Sequence, residues 1–295
     1  MTEPQTKKRA GIIINPISGG KDKRPVIEII RKNFPKNIDY DMIIWERPDQ
    51  KDDIIRKVRE RNYDIVVAAG GDGTINQVAQ AVKGTNSALA IIPLGSGNGL
   101  ARHLNIPLDS KKAVELIGTG KEMKMDACTV NGNYFFCTSG IGFDALIGKL
   151  FAESKTRGFI TYFKLTFSNL IKYKPQQYTL NIDGKTSSVK AFLVTFANAS
   201  QYGNDAFIAP QADISDGYID VVALKPFNLF QALLIAPKMF NKTLDKSSYV
   251  EVFKGKNISL SRDTSGPVHF DGEPADMNTL VEYKIEQGAV KVIVP

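Results

Sequence analysis

Cysteine and histidine are scarce in this sequence, with two of each among 295 residues. Cys128 and Cys137 cannot build a disulfide framework, and buried, reduced thiols are expected for both. His103 and His269 have no Cys or His neighbours at metal-ligand spacing, so both read as ordinary structural positions. Long apolar runs are also missing. None approaches the ~18 consecutive residues that would span a bilayer. The most apolar stretch, Phe227 to Phe240, is broken by Asn228, Gln231, Pro237 and Lys238. After Lys7, Lys8 and Arg9 the apolar run is only Ala10 to Ile14, too short for a signal-peptide core and suited to a first β-strand. A cytoplasmic chain is the expectation.

Familiar nucleotide motifs are absent too. There is no Gly-x-x-x-x-Gly-Lys-[Ser/Thr] loop. Gly95-Ser96-Gly97-Asn98-Gly99 lacks the glycine spacing of a dinucleotide fingerprint, and neither His-Arg-Asp nor Asp-Phe-Gly occurs. What is present is ordinary in bulk. Hydrophobic residues make up 43% and charged residues 23%, with 24 glycines and 14 prolines, near the averages for a globular protein and far from collagenous or low-complexity chains. Lys and Arg number 38 against 31 Asp and Glu, a net charge of +7. Such a surplus suits an anionic partner: nucleic acid, a nucleotide or an anionic membrane surface.

The hydrophobic periodicity changes part-way along the chain. Up to about Met125, short apolar runs alternate with helical patterns, as in an α/β unit with a parallel sheet. The runs are Gly11–Ile14, Met42–Trp45, Ile65–Ala69 and Ala88–Ile92, with helices expected around Arg24–Asn33, Lys51–Arg61 and Ile75–Val82. Beyond Met125 come hairpin signals at Asn131-Gly132 and at Asp183-Gly184, the latter between Tyr178–Ile182 and Val189–Ala197. Further strand-like runs follow at Tyr218–Leu224, Ser248–Phe253, Asn257–Leu260 and Val290–Val294. A mainly antiparallel second domain is expected, with helical inserts near 142–173 and 227–240. The expected division is 8–126 and 127–295, the last strand free to return to the first domain.

Three glycine-rich turns follow strands in the first part. They are Asn15-Pro16-Ile17-Ser18-Gly19-Gly20, Gly70-Gly71-Asp72-Gly73-Thr74, and Pro93-Leu94-Gly95-Ser96-Gly97-Asn98-Gly99-Leu100. In an open α/β sheet, loops at the carboxyl ends of strands form the ligand crevice. Glycine lets backbone amides approach a phosphate closely, and a following helix adds positive potential. One such turn means little, since turns need glycine anyway. Three at equivalent places point to a nucleotide phosphate.

These loops, with Ile75-Asn76 after the second and Asp271-Gly272-Glu273 near the end, resemble the diacylglycerol kinase catalytic-domain family. That family includes bacterial diacylglycerol and related lipid kinases and the sphingosine and ceramide kinases. The resemblance runs from Asn15 to the final strands, with the motifs in the family's order. It implies an N-terminal α/β domain like those of phosphofructokinases and NAD kinases, a C-terminal β-sandwich domain, ATP as donor, Mg²⁺, and a lipid hydroxyl as acceptor. It also implies residue roles. Asn15, Pro16, Ile17, Ser18, Gly70, Gly71, Gly73 and Thr74 would hold the nucleotide, with the Ser96 hydroxyl near the phosphates. Asp72 would organise magnesium and the γ-phosphate, Asp126 would line the cleft, and Glu273 would be the general base. Asp213, Asp216 and the Tyr218 carbonyl match the family's structural magnesium site, and such acids in a turn suit a hard cation.

Chemistry agrees with those residue types. Phosphoryl transfer is mostly positioning and charge stabilisation, and a carboxylate near the acceptor can take its proton. Asp271 and Glu273 are expected on one face, following the strand-like Pro267–Phe270; the plainer alternative is a hairpin turn with two solvated acids. Two departures from the family stand out: Gln77 where Glu is common, and Gly99 where many bacterial members have Asp, a form closer to the sphingoid-type branch. The positive charge gathers in Lys149–Lys174. As a helix from Phe159 to Tyr173, that segment would set Lys164 and Lys172 beside an aromatic face, which suits an anionic lipid surface and not nucleic acid. The resulting expectation is a lipid kinase held peripherally at the cytoplasmic membrane, with a homodimer left open. A soluble NAD-kinase-like enzyme and a non-catalytic nucleotide- or lipid-binding protein are the alternatives.

Overall fold

The computed structural model describes residues 7–15, 24–45, 51–154 and 159–295. The chain forms two compact units, one of residues 1–125 and 288–295 and the other of residues 126–287.

The N-terminal unit alternates strands and helices: β1 (Lys8–Ile14), α1 (Arg24–Asn33), β2 (Ile38–Ile44), α2 (Lys51–Arg61), β3 (Ile65–Gly70), α3 (Asp72–Val82), β4 (Ala88–Pro93), α4 (Gly99–His103) and α5 (Ser110–Thr119). The sheet order is β2-β1-β3-β4, all parallel, and the last residues of the chain add a parallel strand beside β4. Strands covered on both faces need continuous apolar runs, which is why Ile12, Ile13 and Ile14 succeed one another and are all buried. Ala10, Ile12 and Ile14 pack with Val67, Ala90, and with Val26 and Ile30 of α1 and Val114 and Ile117 of α5. On α3, Ile75, Val78, Ala79 and Val82 form the buried face that the i, i+3, i+4, i+7 spacing calls for. The edge strand β2 starts at Ile38, four residues before the apolar run Met42–Trp45. Its first half carries the exposed Asp39 and Tyr40 and the half-buried Asp41, as an edge strand allows, and pairs with β1 from Lys8 onward.

The C-terminal unit takes up the second half of β5 (Lys121–Val130) and continues through β6 (Asn133–Phe135), β7 (Thr138–Gly142), α6 (Phe143–Glu153), α7 (Phe159–Leu170), β8 (Gln176–Ile182), β9 (Lys185–Ala191), β10 (Leu193–Ala197), β11 (Ile219–Leu224), α8 (Leu229–Phe240), β12 (Val250–Gly255), β13 (Asn257–Arg262), β14 (Gly266–Phe270), β15 (Glu273–Met277) and most of β16 (Leu280–Val294). One antiparallel sheet runs β12-β11-β10-β7-β14-β15, and the other pairs β16-β13-β8-β9. Their inner faces enclose one core, with Ile141, Val194, Phe196, Val221 and Val268 from the first and Tyr178, Leu180, Leu260 and Tyr283 from the second. Phe196 and Tyr283 stack at 3.5 Å between ring centroids, worth about 1 kcal/mol beyond burial. The architecture is therefore an α/β domain with a parallel sheet followed by an antiparallel β-sandwich. Asn131-Gly132 and Asp183-Gly184 close two-residue hairpins with both residues at positive φ, the geometry that matches strand twist. Both cysteines are buried thiols outside any disulfide.

Candidate active site

In the N-terminal unit, β1, β3 and β4 are adjacent and parallel, so Asn15 and the turns after β3 and β4 lie at one end of the sheet. They are bonded into one another. Asn15 Nδ2 donates to Thr74 Oγ1 at 3.1 Å. The Asp72 carboxylate accepts the amides of Asn98 (3.0 Å) and Gly99 (2.8 Å). Those are the first donors of α4, which a helix start otherwise leaves unpaired. Asn98, at φ 51°, closes the third loop on itself, its side chain accepting from Gly95 N and donating to Gly95 O, both at 2.9 Å. Arg102 Nε donates to Gly97 O at 3.2 Å. Gly95 is required here: a Cβ would stand 2.7 Å from the Gly71 Cα and 2.9 Å from Asn98 Oδ1. Gly71 is the N-cap of α3 and has no side chain to cover that helix's first amides, the arrangement an anionic ligand uses. Gly70, Gly73 and the buried Thr74 line the same turn, and Ser96 is exposed at the tip of the third loop. Pro16, Ile17 and Ser18 lie outside the described residues. Gln77 sits one turn into α3, and its Oε1 is buried without a hydrogen-bond partner.

In the C-terminal unit the acids divide by role. β14 ends at Phe270 and β15 begins at Glu273, so Asp271-Gly272 is a two-residue turn, at φ 49° and 85°. The two carboxylates therefore do not share a strand face. Asp271 turns into a ring of backbone donors, accepting from Phe136 (2.8 Å), Cys137 (2.8 Å) and Thr138 (3.1 Å). Glu273 is exposed as the first residue of β15. The base of this hairpin is held by the buried Arg262, whose Nη2 donates to Gly266 O and Met277 O, each at 2.8 Å. Burial pushes the Arg262 guanidinium below its usual pKa.

Asp126 is wholly buried. Its Oδ2 accepts from Gly217 N at 2.7 Å and its amide donates to Ile214 O at 2.8 Å. It thereby clamps the 213–217 turn, a structural task that its apolar neighbours in β5 gave no hint of. In that turn Asp213 Oδ1 accepts from Ser215 N and Oγ, at 2.9 and 2.7 Å, and Asp216 Oδ1 accepts from Tyr218 N at 2.9 Å. Lys254 Nζ lies 2.6 Å from Asp216 and 3.5 Å from the buried Asp220. Burial pulls the Lys254 pKa down, but Asp216 and Asp220 more than offset it and the net shift is upward. A cation held by Asp213, Asp216 and the Tyr218 carbonyl would share Asp216 with the Lys254 ammonium.

The sequence profile of the diacylglycerol kinase catalytic domain matches residues 9–130, and that of the YegS C-terminal NAD kinase β-sandwich-like domain matches residues 138–294. The chain belongs to the diacylglycerol kinase catalytic-domain family. It is 27% identical over 278 residues to a diacylglycerol kinase of Bacillus subtilis, covering 92% of this chain and 91% of that one. Against a diacylglycerol kinase of Staphylococcus saprophyticus it is 27% identical over 275 residues, covering 90% and 89%. The fold matches a crystal structure of a diacylglycerol kinase from Bacillus anthracis with a TM-score of 0.75 at 20% identity, over 99% of this chain and 98% of that one.

This family member also carries a polar cluster inside the sandwich domain that sequence reasoning missed. The buried Asp144, at the start of α6, accepts from Tyr202 Oη (3.0 Å) and Thr195 Oγ1 (3.3 Å), and its Oδ2 lies 3.3 Å from His269 Nε2. A Cβ on Gly140 would collide with both Asp144 and His269. The four partners come from α6, β10, β14 and the loop after β10, so no local spacing could have announced them. Gly140-Ile141-Gly142 was the available signal.

Proposed function

We propose that the chain transfers the γ-phosphate of ATP to a hydroxyl of diacylglycerol or a related lipid, sphingoid lipids included. The observation that carries this reading is the interlocking of Asn15 with the turns after β3 and β4, at the glycine N-cap of α3. Gly70–Thr74, Asn15 and the Ser96 loop would hold the phosphates, and the bound nucleotide with its Mg²⁺ supplies the transferable group and charge neutralisation. Asp72 keeps the third loop in register through the Asn98 and Gly99 amides. Glu273, presented at the tip of a hairpin fixed at both ends, would accept the proton of the acceptor hydroxyl. Asp213, Asp216 and Tyr218 stand as a cation site on family resemblance alone, and no step runs through them.

Radiolabelled ATP incubated with a total lipid extract, then chromatography, tests this. A labelled lipid is expected, with loss of about 100-fold or more in Glu273→Gln and in Asp72→Ala, both folded by circular dichroism. Full activity in both variants would overturn the assignment. Label only in a water-soluble product would favour an NAD-kinase-like acceptor.

A further inference from the structure

Helix α8 presents an apolar face that the C-terminal unit does not cover. The helix starts firmly, since Asn228 and Gln231 form a reciprocal capping box with both bonds at 2.9 Å. Ile235 is its buried residue, packed with Val222, Leu224, Leu244 and Val250. The opposite side carries Phe230 at 82% exposure, Leu233 at 70%, Leu234 at 63% and Phe240 at 58%. Phe230, Leu233 and Leu234 fall at i, i+3 and i+4, so they form one patch rather than scattered exposures. Helix α7 packs Leu165 and Leu170 into the same cluster as Ile235, and turns out Phe167 at 61% and Ile171, just past its end, at 72%.

The stretches that carry the patch are basic, although Lys225 is paired with Glu251 at 3.0 Å. Residues 221–244 contain no Asp or Glu but include Lys225, Lys238 and Lys242; residues 154–182 likewise contain none but include Lys164, Lys172 and Lys174. Lys242 stands over the Phe207 ring, 4.5 Å from its centroid, at the end of α8. The core of a protein–protein interface is depleted in lysine, whereas lysines flanking exposed Phe and Leu match the headgroup and acyl layers of an anionic bilayer. No helix among the described residues is long and apolar enough to cross a membrane, which leaves an in-plane orientation.

We propose that α8 lies along the surface of an anionic bilayer, burying Phe230, Leu233 and Leu234 while Lys238 and Lys242 face lipid phosphates. It thereby docks the protein on the membrane that holds its acceptor; this last step rests on the lipid-kinase reading, and the docking does not. It adds α8 to the lipid-facing surface that the charge of Lys149–Lys174 suggests for α7.

The full-length chain is sedimented with vesicles of phosphatidylcholine, and of two parts phosphatidylcholine to one part phosphatidylglycerol, without ATP. Binding to the mixed vesicles is expected. Phe230→Ser with Leu233→Ser lowers it about 100-fold, and Lys238→Gln with Lys242→Gln about 25-fold on the mixed vesicles only. Unchanged thermal melting is expected in both pairs. A nitrobenzoxadiazole probe on Leu233→Cys should shift to the blue on vesicles; the native thiols are buried, so the label reports that position. Unaltered vesicle binding in Phe230→Ser/Leu233→Ser, or an unshifted probe, overturns the proposal. So does a dimer that this variant dissociates while vesicles bind neither form, which would make α8 a face between copies. Vesicle binding with no lipid phosphorylated in any assay would leave docking in place and refute the kinase reading instead.

Discussion

In the N-terminal unit the Asp72 carboxylate accepts two backbone amides and remains partly exposed; in the C-terminal unit the Asp271 carboxylate accepts three. Asp72 is half-buried in a loop bonded to its neighbour, and Asp271 closes a turn onto a run of three successive amides. The same residue type thus does two jobs. Asp72 joins two loops, holding the start of α4 against the turn before α3. Asp271 is a positioning residue that fixes the turn from which Glu273 projects, and Arg262 fixes the other end of that hairpin.

The sharpest way to break this comparison is Asp271→Ala. It leaves three amides of the 136–138 segment unpaired, at a cost of about 3 kcal/mol or more, and lets the hairpin tip move. We expect kcat to fall about 100-fold, the order that a misplaced proton acceptor loses, with nucleotide KM little changed. Asp271→Asn, which retains one acceptor oxygen, should lose less. Steady-state kinetics at a temperature where both variants are folded decides it, and a normal rate in Asp271→Ala would separate the nest from the chemistry.

On the other side of the comparison, Gly95→Ala probes the loop contact. The new methyl meets the Gly71 backbone, and overpacking of this kind costs about 1–3 kcal/mol. Nucleotide binding measured by calorimetry should weaken about 10-fold while lipid binding to vesicles is unaffected. Equal affinity would show that the third loop yields without disturbing α3.

The smallest effect expected concerns a carboxylate bonded to no amide ring. Burial pushes the Asp220 carboxyl above its usual range, and the Lys254 charge only partly reverses this. A raised folded-state pKa means the ionised form lowers stability once pH exceeds the unfolded value, near 4. Asp220→Asn should therefore raise the melting temperature at neutral pH by about 2–4 °C, and the gain should fade as pH drops toward 4. A loss at neutral pH would show that the Lys254 pair outweighs desolvation.

Local pattern accounts for much of this protein. Ile75, Val78, Ala79 and Val82 mark their helix face by spacing alone. Asn131-Gly132 and Asp183-Gly184 mark their hairpins because few residues tolerate positive φ at both turn positions. The glycine turns after β3 and β4 are visible through a different steric demand, close approach: a Cβ on Gly70 would meet Thr74, and one on Gly95 the Gly71 backbone. The edge half of β2 is not, since Asp39 and Asp41 break an apolar run without breaking a strand. The acids mislead most. Asp271 and Glu273 are two residues apart and read as strand neighbours until the turn between them is known. Asp216 reads as a cation ligand from its turn, and nothing local announces Lys254, distant in sequence and 2.6 Å away.

Membership in a lipid-kinase family, the α/β and sandwich halves, and the glycine loops all follow from the order of residues along the chain, because periodicity and turn sterics act over a few positions. Which carboxylate meets a ring of amides, which meets a lysine, and which projects outward was decided by folding. Each depends on groups dozens of residues apart: Asp271 on Phe136–Thr138, Asp126 on Gly217, Asp144 on His269. The same holds for α8. Its composition announces an apolar helix, but only packing on Val222 and Leu244 determines that Ile235 faces inward and leaves Phe230 and Leu233 to the solvent.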